Sequence, residues 1–278
     1  MCRVATSSVI LLSLALPDPC AKSPTLRAGV RRLLDAGAAG LLEEDLVVDV
    51  IRSIGLNPDL RPEYGDESVH MLPVTEQERA MATLIDSFIV PNLTSIKYEG
   101  LLQIPQQLAC ALTSLAAFNV STFVEIGTFT GWTTSVIAAF FQGLARRRES
   151  ARLRSWSMDT DAQRVGSCAS SQFARLGITF VLRRGSEWPQ GLPEAVDLCF
   201  IDGDHSYAAL SSDFGAASKA CRFVMLHDIV GDLGQDVPRF WGEVKADYPQ
   251  NKVWECTYQP RNSTSLRVMG IGIVQLRE

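Results

Sequence analysis

Two histidines of this chain stand close to aspartates in a way that could support proton transfer. His205 lies three residues after Asp202, and His227 is followed directly by Asp228. The chain has only 3 histidines, and two of them fall in these acidic runs. An imidazole that titrates near pH 6.5 can take a proton from a hydroxyl group, while carboxylates orient the acceptor or hold a divalent cation. The two runs therefore predict acid–base or metal chemistry.

A glycine turn in the first half of the domain could hold a small ligand. The run from Val124 to Thr134 predicts a strand, a tight turn with Gly127 and Gly131, and then a helix whose N-terminus can bind a negative group. Phe129 stands where a dinucleotide-binding fingerprint has its second glycine, so a pyrophosphate would be crowded there. The turn disfavours NAD and FAD as ligands.

Further polar residues follow the next two predicted strands. Asp159 ends the second strand, where a carboxylate can accept both hydroxyls of a ribose. The alternative is a capping role, in which Asp161 or Thr160 starts the next helix. Gly185 and Ser186 lie in the loop after the third strand.

The elements that must position these residues alternate between short apolar strands and helices. Strands are predicted at 122–126, 154–158, 179–182, 196–201 and 223–226, and helices at 105–118, 130–145, 162–176, 207–220 and 237–246. Such alternation is typical of an α/β fold with a doubly wound, mostly parallel sheet. Two final strands at 253–258 and 268–276, joined by a turn-rich link, predict an antiparallel C-terminal hairpin at the sheet edge.

The chain divides into three predicted parts. Residues 1–22 are a targeting segment or a tail, 23–95 a helical extension and 96–278 the α/β domain. Helical spacing after Pro24, over 41–54 and after the capping box at Thr75 predicts three amphipathic helices in the extension. These helices either cover an acceptor pocket or form the interface of a homo-oligomer.

Composition restricts the partners. A formal net charge of −5 argues against a nucleic-acid partner, and no apolar run is long enough for a stable membrane span. The 7 cysteines are scattered without a CxxC pair, which predicts free thiols in a reducing, cytoplasmic environment. An apolar run over 9–16 leaves a signal or transit segment as the alternative. The sequon at Asn119 lies so close to a buried strand that a glycan would fit poorly.

Three runs together carry a family resemblance: 123–134, 196–207 and 224–228. The chain resembles class I S-adenosylmethionine-dependent methyltransferases from about Lys97 to its end. Within that class it is similar to macrolide-sugar O-methyltransferases and cephalosporin-hydroxylase-like proteins, and more distantly to catechol and caffeoyl-CoA O-methyltransferases. The resemblance implies a Rossmann-like, seven-stranded sheet that binds S-adenosyl-L-methionine.

The resemblance also implies which residues contact the cofactor. In the family the glycine turn holds the methionine part, the acid of the first strand orients its amino group, and the loop after the third strand flanks the adenine. Carried over, the cofactor-binding residues would be Glu125, Gly127, Thr128, Phe129, Thr130, Gly131, Asp159, Gly185, Ser186 and Asp202.

For the reaction itself the resemblance implies Asp202 and His205 as catalytic residues. Metal-dependent members hold magnesium at positions that correspond to Asp202, His227 and Asp228. His227 departs from the usual acid or amide there, and an imidazole suits Mn²⁺ or Fe²⁺ better than Mg²⁺. Two alternatives stay open: Asp228 binds a loop without any ion, and His205 belongs to a helix cap instead of acting as the base.

The sequence thus predicts a methyltransferase that acts on a hydroxyl of a small-molecule acceptor, with general-base assistance and with or without Mg²⁺ or another divalent cation. The alternatives are a catalytically inactive module that binds S-adenosylmethionine, or another transferase on the same fold. Cofactor binding without turnover of any acceptor would favour the inactive module.

Overall fold

The computed structural model describes residues 20, 24–54, 101, 103–183, 188–230, 236–257 and 270–278. Several predictions lie outside these residues: the helix after Thr75, and the loop with Gly185 and Ser186. In the described part, no helix is both long enough and apolar enough to cross a membrane.

A seven-stranded mixed sheet forms the centre of the fold, in the order β3-β2-β1-β4-β5-β7-β6. Strands β1 to β5 are parallel, and β7 runs antiparallel to both β5 and β6. The predicted α/β class, parallel core and antiparallel C-terminal hairpin are therefore confirmed. The strands are β1 (Thr122–Ile126), β2 (Arg154–Asp159), β3 (Ile178–Leu182), β4 (Val196–Ile201), β5 (Cys221–His227), β6 (Val253–Cys256) and β7 (Ile271–Gln275).

Seven α-helices are found among the described residues. They are α1 (Pro24–Ala39), α2 (Glu44–Ile54), α3 (Pro105–Leu115), α4 (Trp132–Arg147), α5 (Ser167–Leu176), α6 (Tyr207–Ala220) and α7 (Asp236–Asp247). Helix α5 begins later than predicted. The Asp161 carboxylate caps a separate 3₁₀ turn over Ala162–Arg164, and extended backbone at Gly166 separates that turn from the helix.

The sheet has a hydrophobic core on each face because its strand side chains alternate. Phe123 and Phe200 point to the face covered by α1 to α5, whereas Val124 and Ile201 point to the face covered by α6 and α7. Strands β1, β4 and β5, at the centre of the sheet, are mostly buried on both sides, which explains their nearly continuous apolar sequences.

Helices α1 and α2 belong to the first of these cores. Helix α1 crosses α4 so closely that a Cβ on Gly37 would lie 2.5 Å from the Cα of Gly143. Helix α2 packs on α3, and Val47 and Ile51 are buried in the same cluster as the sheet residues. The N-terminal helices therefore complete one layer of the fold, and the division at residue 96 stays a prediction.

The prediction of free thiols is wrong for the described cysteines. Disulfides join Cys20 to Cys168, Cys110 to Cys256 and Cys199 to Cys221. The first two pairs are separated by 148 and 146 residues. Their partners meet only through tertiary packing, which is why spacing along the chain did not indicate them.

Candidate active site

The candidate site lies where the strand order reverses direction, between β1 and β4. Open α/β sheets bind ligands at this point, beyond the carboxyl ends of the strands. Here the turn after β1 meets the segment after β4: the Asp202 amide donates to the Ile126 carbonyl at 2.9 Å. A Cβ on Gly127 would lie 2.1 Å from the Asp202 carbonyl oxygen.

This contact changes the interpretation of the glycine turn. Gly127 has φ +96° and Gly131 φ +83°, so both need the left-handed region. The space beside Gly127 is filled by the backbone of Asp202, and the space beside Gly131 by Phe173 of α5. Protein packing alone therefore requires both glycines, and a substitution at Gly127 would disturb the fold as well as any ligand.

Two aspartates and two histidines converge beyond β4 and β5. The His227 Nδ1 atom lies 3.1 Å from Asp202 Oδ1 and 3.3 Å from Asp228 Oδ2. The His205 Nε2 atom lies 3.2 Å from Asp228 Oδ2 and 3.9 Å from Asp202 Oδ1. The structure thus brings together all four residues that the sequence assigned to proton or metal chemistry.

The four groups differ in their access to solvent. The side chain of His205 is 36% exposed and that of Asp202 20%, whereas those of His227 and Asp228 are 5% and 6% exposed. An acceptor could therefore reach His205 and Asp202 from outside, with His227 and Asp228 behind them.

The cluster shifts the pKa values of its members. Burial alone would lower the pKa of His227, but the carboxylates of Asp202 and Asp228 more than offset it and hold that pKa well above 6.5. The pKa of His205 is also raised, first by Asp202 and then by Asp228, against a lowering by burial. Burial would raise the pKa of Asp202, yet the two histidines lower it below its usual range.

Sequence reasoning missed Gln103, which is 2% exposed and precedes α3. Its Nε2 donates to Asp202 Oδ2 at 2.8 Å, so Oδ1 of the same carboxylate is left facing the histidines. A glutamine just before a helix belongs to no recognisable sequence motif. Its hydrogen bond joins residues 99 positions apart, so only the folded structure shows it.

The donor set fits a divalent cation. One ligand atom each from Asp202, His227 and Asp228 lies within 4.8 Å of the others. The Oδ1 atom of Asp228 is buried and has no hydrogen-bond partner among the described residues, and Asp228 adopts φ +58°. Such a strained backbone at a polar cluster is typical of a functional site. Two carboxylates with one imidazole suit Mn²⁺ or Fe²⁺ better than Mg²⁺.

The turn after β1 is fixed to the end of β2 through Asp159. The Phe129 amide donates to Asp159 Oδ2 at 2.8 Å, and Phe129 itself has φ +46°. The other oxygen, Oδ1, accepts from the Asp161 amide at 3.1 Å. Oδ1 also accepts a long hydrogen bond from the Thr160 hydroxyl at 3.4 Å, which a ribose hydroxyl could replace, and Oδ2 keeps a second lone pair for another.

Glu125 lies inside the protein and not on the surface of the turn. It is fully buried, and its Oε2 accepts hydrogen bonds from Thr134 and, at 3.0 Å, from Ser157. Thr128 joins the same group through Ser157 at 2.7 Å. Burial raises the pKa of Glu125 to about 8, although the hydroxyl hydrogen bonds counteract it. Glu125 thus supports the glycine turn from beneath, and Thr130 is likewise buried.

A family model described as a methyltransferase domain matches residues 124–229. The match includes the glycine turn, Asp159 and all four residues of the His–Asp cluster. Residues 124–229 therefore match a methyltransferase domain. The order of its strands and the position of its turn agree with the Rossmann-like architecture described above.

Solved structures similar to this chain include an O-methyltransferase from Bacillus cereus in complex with SAH. It has 14% identity and a TM-score of 0.39, and the match covers 78% of this chain and 96% of that one. The O-methyltransferase TomG from Streptomyces achromogenes, involved in tomaymycin synthesis, has 16% identity, coverage of 78% and 94%, and a TM-score of 0.43. A protein from Clostridium thermocellum that is named as an rRNA-methylase has 13% identity and a TM-score of 0.45. The match covers 61% of this chain and 97% of that one. Similarity at this level does not specify the acceptor. No curated protein matches the chain.

Proposed function

We propose that this methyltransferase transfers the methyl group of S-adenosylmethionine to a hydroxyl oxygen of a small molecule. The observation that carries the proposal is the convergence of His205, Asp202, His227 and Asp228 beside the turn after β1. The net charge of −5 supports a small-molecule acceptor over a nucleic acid, whose phosphates a negative protein repels.

In the proposed reaction His205 is the general base. Its Nε2 faces the carboxylates of Asp228 and Asp202 and donates to them, so the other ring nitrogen, Nδ1, takes the proton of the acceptor hydroxyl while the oxygen attacks the methyl carbon. The carbon–sulfur bond breaks, its electron pair stays on sulfur, and the products are a methyl ether and S-adenosylhomocysteine. Because the sulfonium is already an activated donor, the protein contributes mainly orientation and proton removal. The pKa of His205 is raised above its ordinary value of 6.5. The imidazole therefore becomes an effective base only at a pH higher than an unperturbed histidine would need.

Asp202 would orient the acceptor. Its Oδ2 is held by Gln103 and its Oδ1 faces the histidines, so the carboxylate has a fixed position at the entrance of the cluster. Asp202, His227 and Asp228 would hold a divalent cation, preferably Mn²⁺ or Fe²⁺. Such an ion, when bound, lowers the pKa of an acceptor hydroxyl. In the alternative without an ion, His227 is the imidazolium that balances the two carboxylates.

For the cofactor, we propose that the turn from Gly127 to Gly131 borders the methionine part and that Asp159 accepts the ribose hydroxyls. The link between Phe129 and Asp159 supports this division because it holds the two segments at a fixed separation. The assignment of Gly185 and Ser186 to the adenine stays a prediction.

A calorimetric titration with S-adenosylmethionine tests the proposal, first in chelator and then in excess Mg²⁺ or Mn²⁺. Micromolar binding is expected, and a clear dependence on Mn²⁺ would support the three-residue metal site. Asp159→Ala should weaken binding by roughly 1–3 kcal/mol if two hydroxyls lose their acceptor. Absence of binding under every condition would refute the proposed site.

A further inference from the structure

Independently of the proposed reaction, we propose that this chain matures in an oxidising secretory compartment. There it forms the disulfides Cys20–Cys168 and Cys110–Cys256 and accepts an N-linked glycan on Asn119. The proposal rests on the pairing of cysteines that are far apart in the sequence and on the exposure of one sequon.

The two long-range disulfides connect different layers of the protein. Cys20, which precedes α1, is joined to Cys168 of α5, and Cys110 of α3 is joined to Cys256 of β6. The Cα–Cα distances are 4.5 and 5.8 Å, within the usual range for disulfides, so neither pair requires backbone movement to close. Pairs of this kind form and persist in secreted proteins, whereas cytosolic thiols are kept reduced.

The pairs also have a clear stabilising role. Each one closes a loop of more than 140 residues, so each strongly restricts the unfolded chain. Cys20–Cys168 fixes the start of α1 to α5, and Cys110–Cys256 fixes α3 to the edge strand of the sheet. Together they hold the helical layer that covers one face.

Asn119 is an accessible acceptor for a glycan. It is exposed in the loop between α3 and β1, and Val120 and Ser121 complete its sequon. The predicted poor fit of a glycan rested on the nearby buried strand, and the exposed side chain of Asn119 argues against that ground, although Val120 beside it is buried. The loop precedes β1, so Asn119 lies at the amino end of the sheet, away from Asp202 at the carboxyl end. A glycan there would leave the candidate site open.

The two disulfides differ in their access to a reductant. Cys110 is half-buried and, with the buried Cys256, lines an open cleft of about 680 Å³ between α2, α3 and β6, whereas Cys20 and Cys168 are both buried and line no such cleft among the described residues. Mild reduction should therefore open Cys110–Cys256 before Cys20–Cys168. This order is a property of the folded protein that chance pairing in an unfolded chain would not reproduce.

The first experiment expresses the full chain behind a signal peptide in eukaryotic secretory cells and maps its disulfides. The folded protein is alkylated, digested without reductant and analysed by mass spectrometry. We expect linked peptides for both pairs and, after brief treatment with glutathione, selective loss of the Cys110–Cys256 link. Cys110→Ser with Cys256→Ser should lower the melting temperature by several degrees, whereas the control Cys2→Ser should leave it unchanged.

The second experiment tests the glycan on the same material. An electrophoretic shift removed by an endoglycosidase should depend on Asn119 and disappear in Asn119→Gln. The control Ser121→Thr retains both the sequon and the hydroxyl that donates to Asp197, so it should keep the shift. Residual shifts at other sequons are separated from this one by peptide mapping.

Either of two results would overturn the proposal. One is that all described cysteines of the folded protein can still be alkylated. This would have to hold for the secreted protein, and also for protein that is purified from a reducing cytosol and then incubated with oxidised glutathione. The other is folded, secreted protein with an unmodified Asn119 peptide. Should a cysteine variant fail to fold, the mapping of the wild-type chain decides the question alone.

Discussion

At the scale of single residues, the site depends on how each acidic group is neutralised. Asp202 faces the imidazoles of His227 and His205 at 3.1 and 3.9 Å, and the two histidines hold its pKa below the usual range although it lies near the protein interior. Glu125, by contrast, has only neutral hydroxyl partners and is fully buried. The same side-chain chemistry thus gives a charged carboxylate at Asp202, beside the histidines, and a protonated carboxyl at Glu125, beneath the glycine turn.

Replacing His205 with glutamine tests its role as the base. We expect His205→Gln to lower kcat by about 10² to 10⁴, because no side chain then takes the proton from the hydroxyl of the substrate. Cofactor affinity should stay nearly unchanged. Steady-state kinetics and calorimetry measure the two effects separately. Asp204→Asn is the matched control: Asp204 is exposed and its Oδ1, which caps the Ser206 amide, remains an acceptor in asparagine. Because Ser206 is the residue that caps α6, equal rates for both variants would show that His205 is neither the base nor the cap.

Glu125 should make the stability of the protein depend on pH. With a pKa of about 8 in the folded state and 4.5 as its ordinary value, it favours folding below pH 4.5, and this contribution is lost as the pH rises towards 8. Glu125→Gln keeps the shape of the side chain but cannot ionise. The melting temperature of the variant should therefore rise relative to that of the wild type as the pH increases from 5 to 8. Thermal unfolding at several pH values checks this, and parallel curves for the two proteins would contradict it.

At the scale of elements, the contact between α1 and α4 decides how the N-terminal helices pack. Gly37 and Gly143 face each other, and the backbones approach closely because neither residue has a side chain. This crossing replaces the usual interdigitation of larger side chains. Around it, Leu33 and Phe140 are fully buried, so the crossing joins α1 to the core of the sheet.

The glycine crossing can be tested with a pair of alanine substitutions. Gly37→Ala should destabilise the protein by roughly 1–3 kcal/mol because its Cβ would overlap the backbone of Gly143. Gly242→Ala, in α7, is the control: nothing lies within 4 Å of its Cβ, so it should be neutral or stabilise by up to about 1 kcal/mol. Chemical denaturation measures both, and equal changes would show that the crossing is not tight.

At the scale of the whole molecule, the methyltransferase fold is completed by helices that precede it. Helices α1 and α2 cover α4 and α3, and their apolar residues belong to one continuous cluster with the sheet. Removing them would expose apolar surface of these helices to water, at a cost of about 25 cal/mol for each Å². The helices are therefore part of what makes the domain stable.

A truncation series tests this dependence. A chain that starts at residue 55 should not give soluble, folded protein, because the apolar surfaces of α3 and α4 lose their cover. A chain that starts at residue 20 retains Cys20 and both helices and should fold. Circular dichroism and gel filtration distinguish the two. Native-like unfolding of the shorter chain would show that the extension is dispensable.

The sequence by itself determined the order and type of the described elements and the residues that meet beyond the sheet. Periodicity and turn residues are local signals, and parallel strands bring their carboxyl ends to one edge, so Asp202, His205, His227 and Asp228 could be placed together in advance. Only the tertiary structure decided which atoms face each other. The burial of Glu125, the bond from Gln103 and the disulfides depend on packing between residues up to 148 positions apart, which no local pattern encodes.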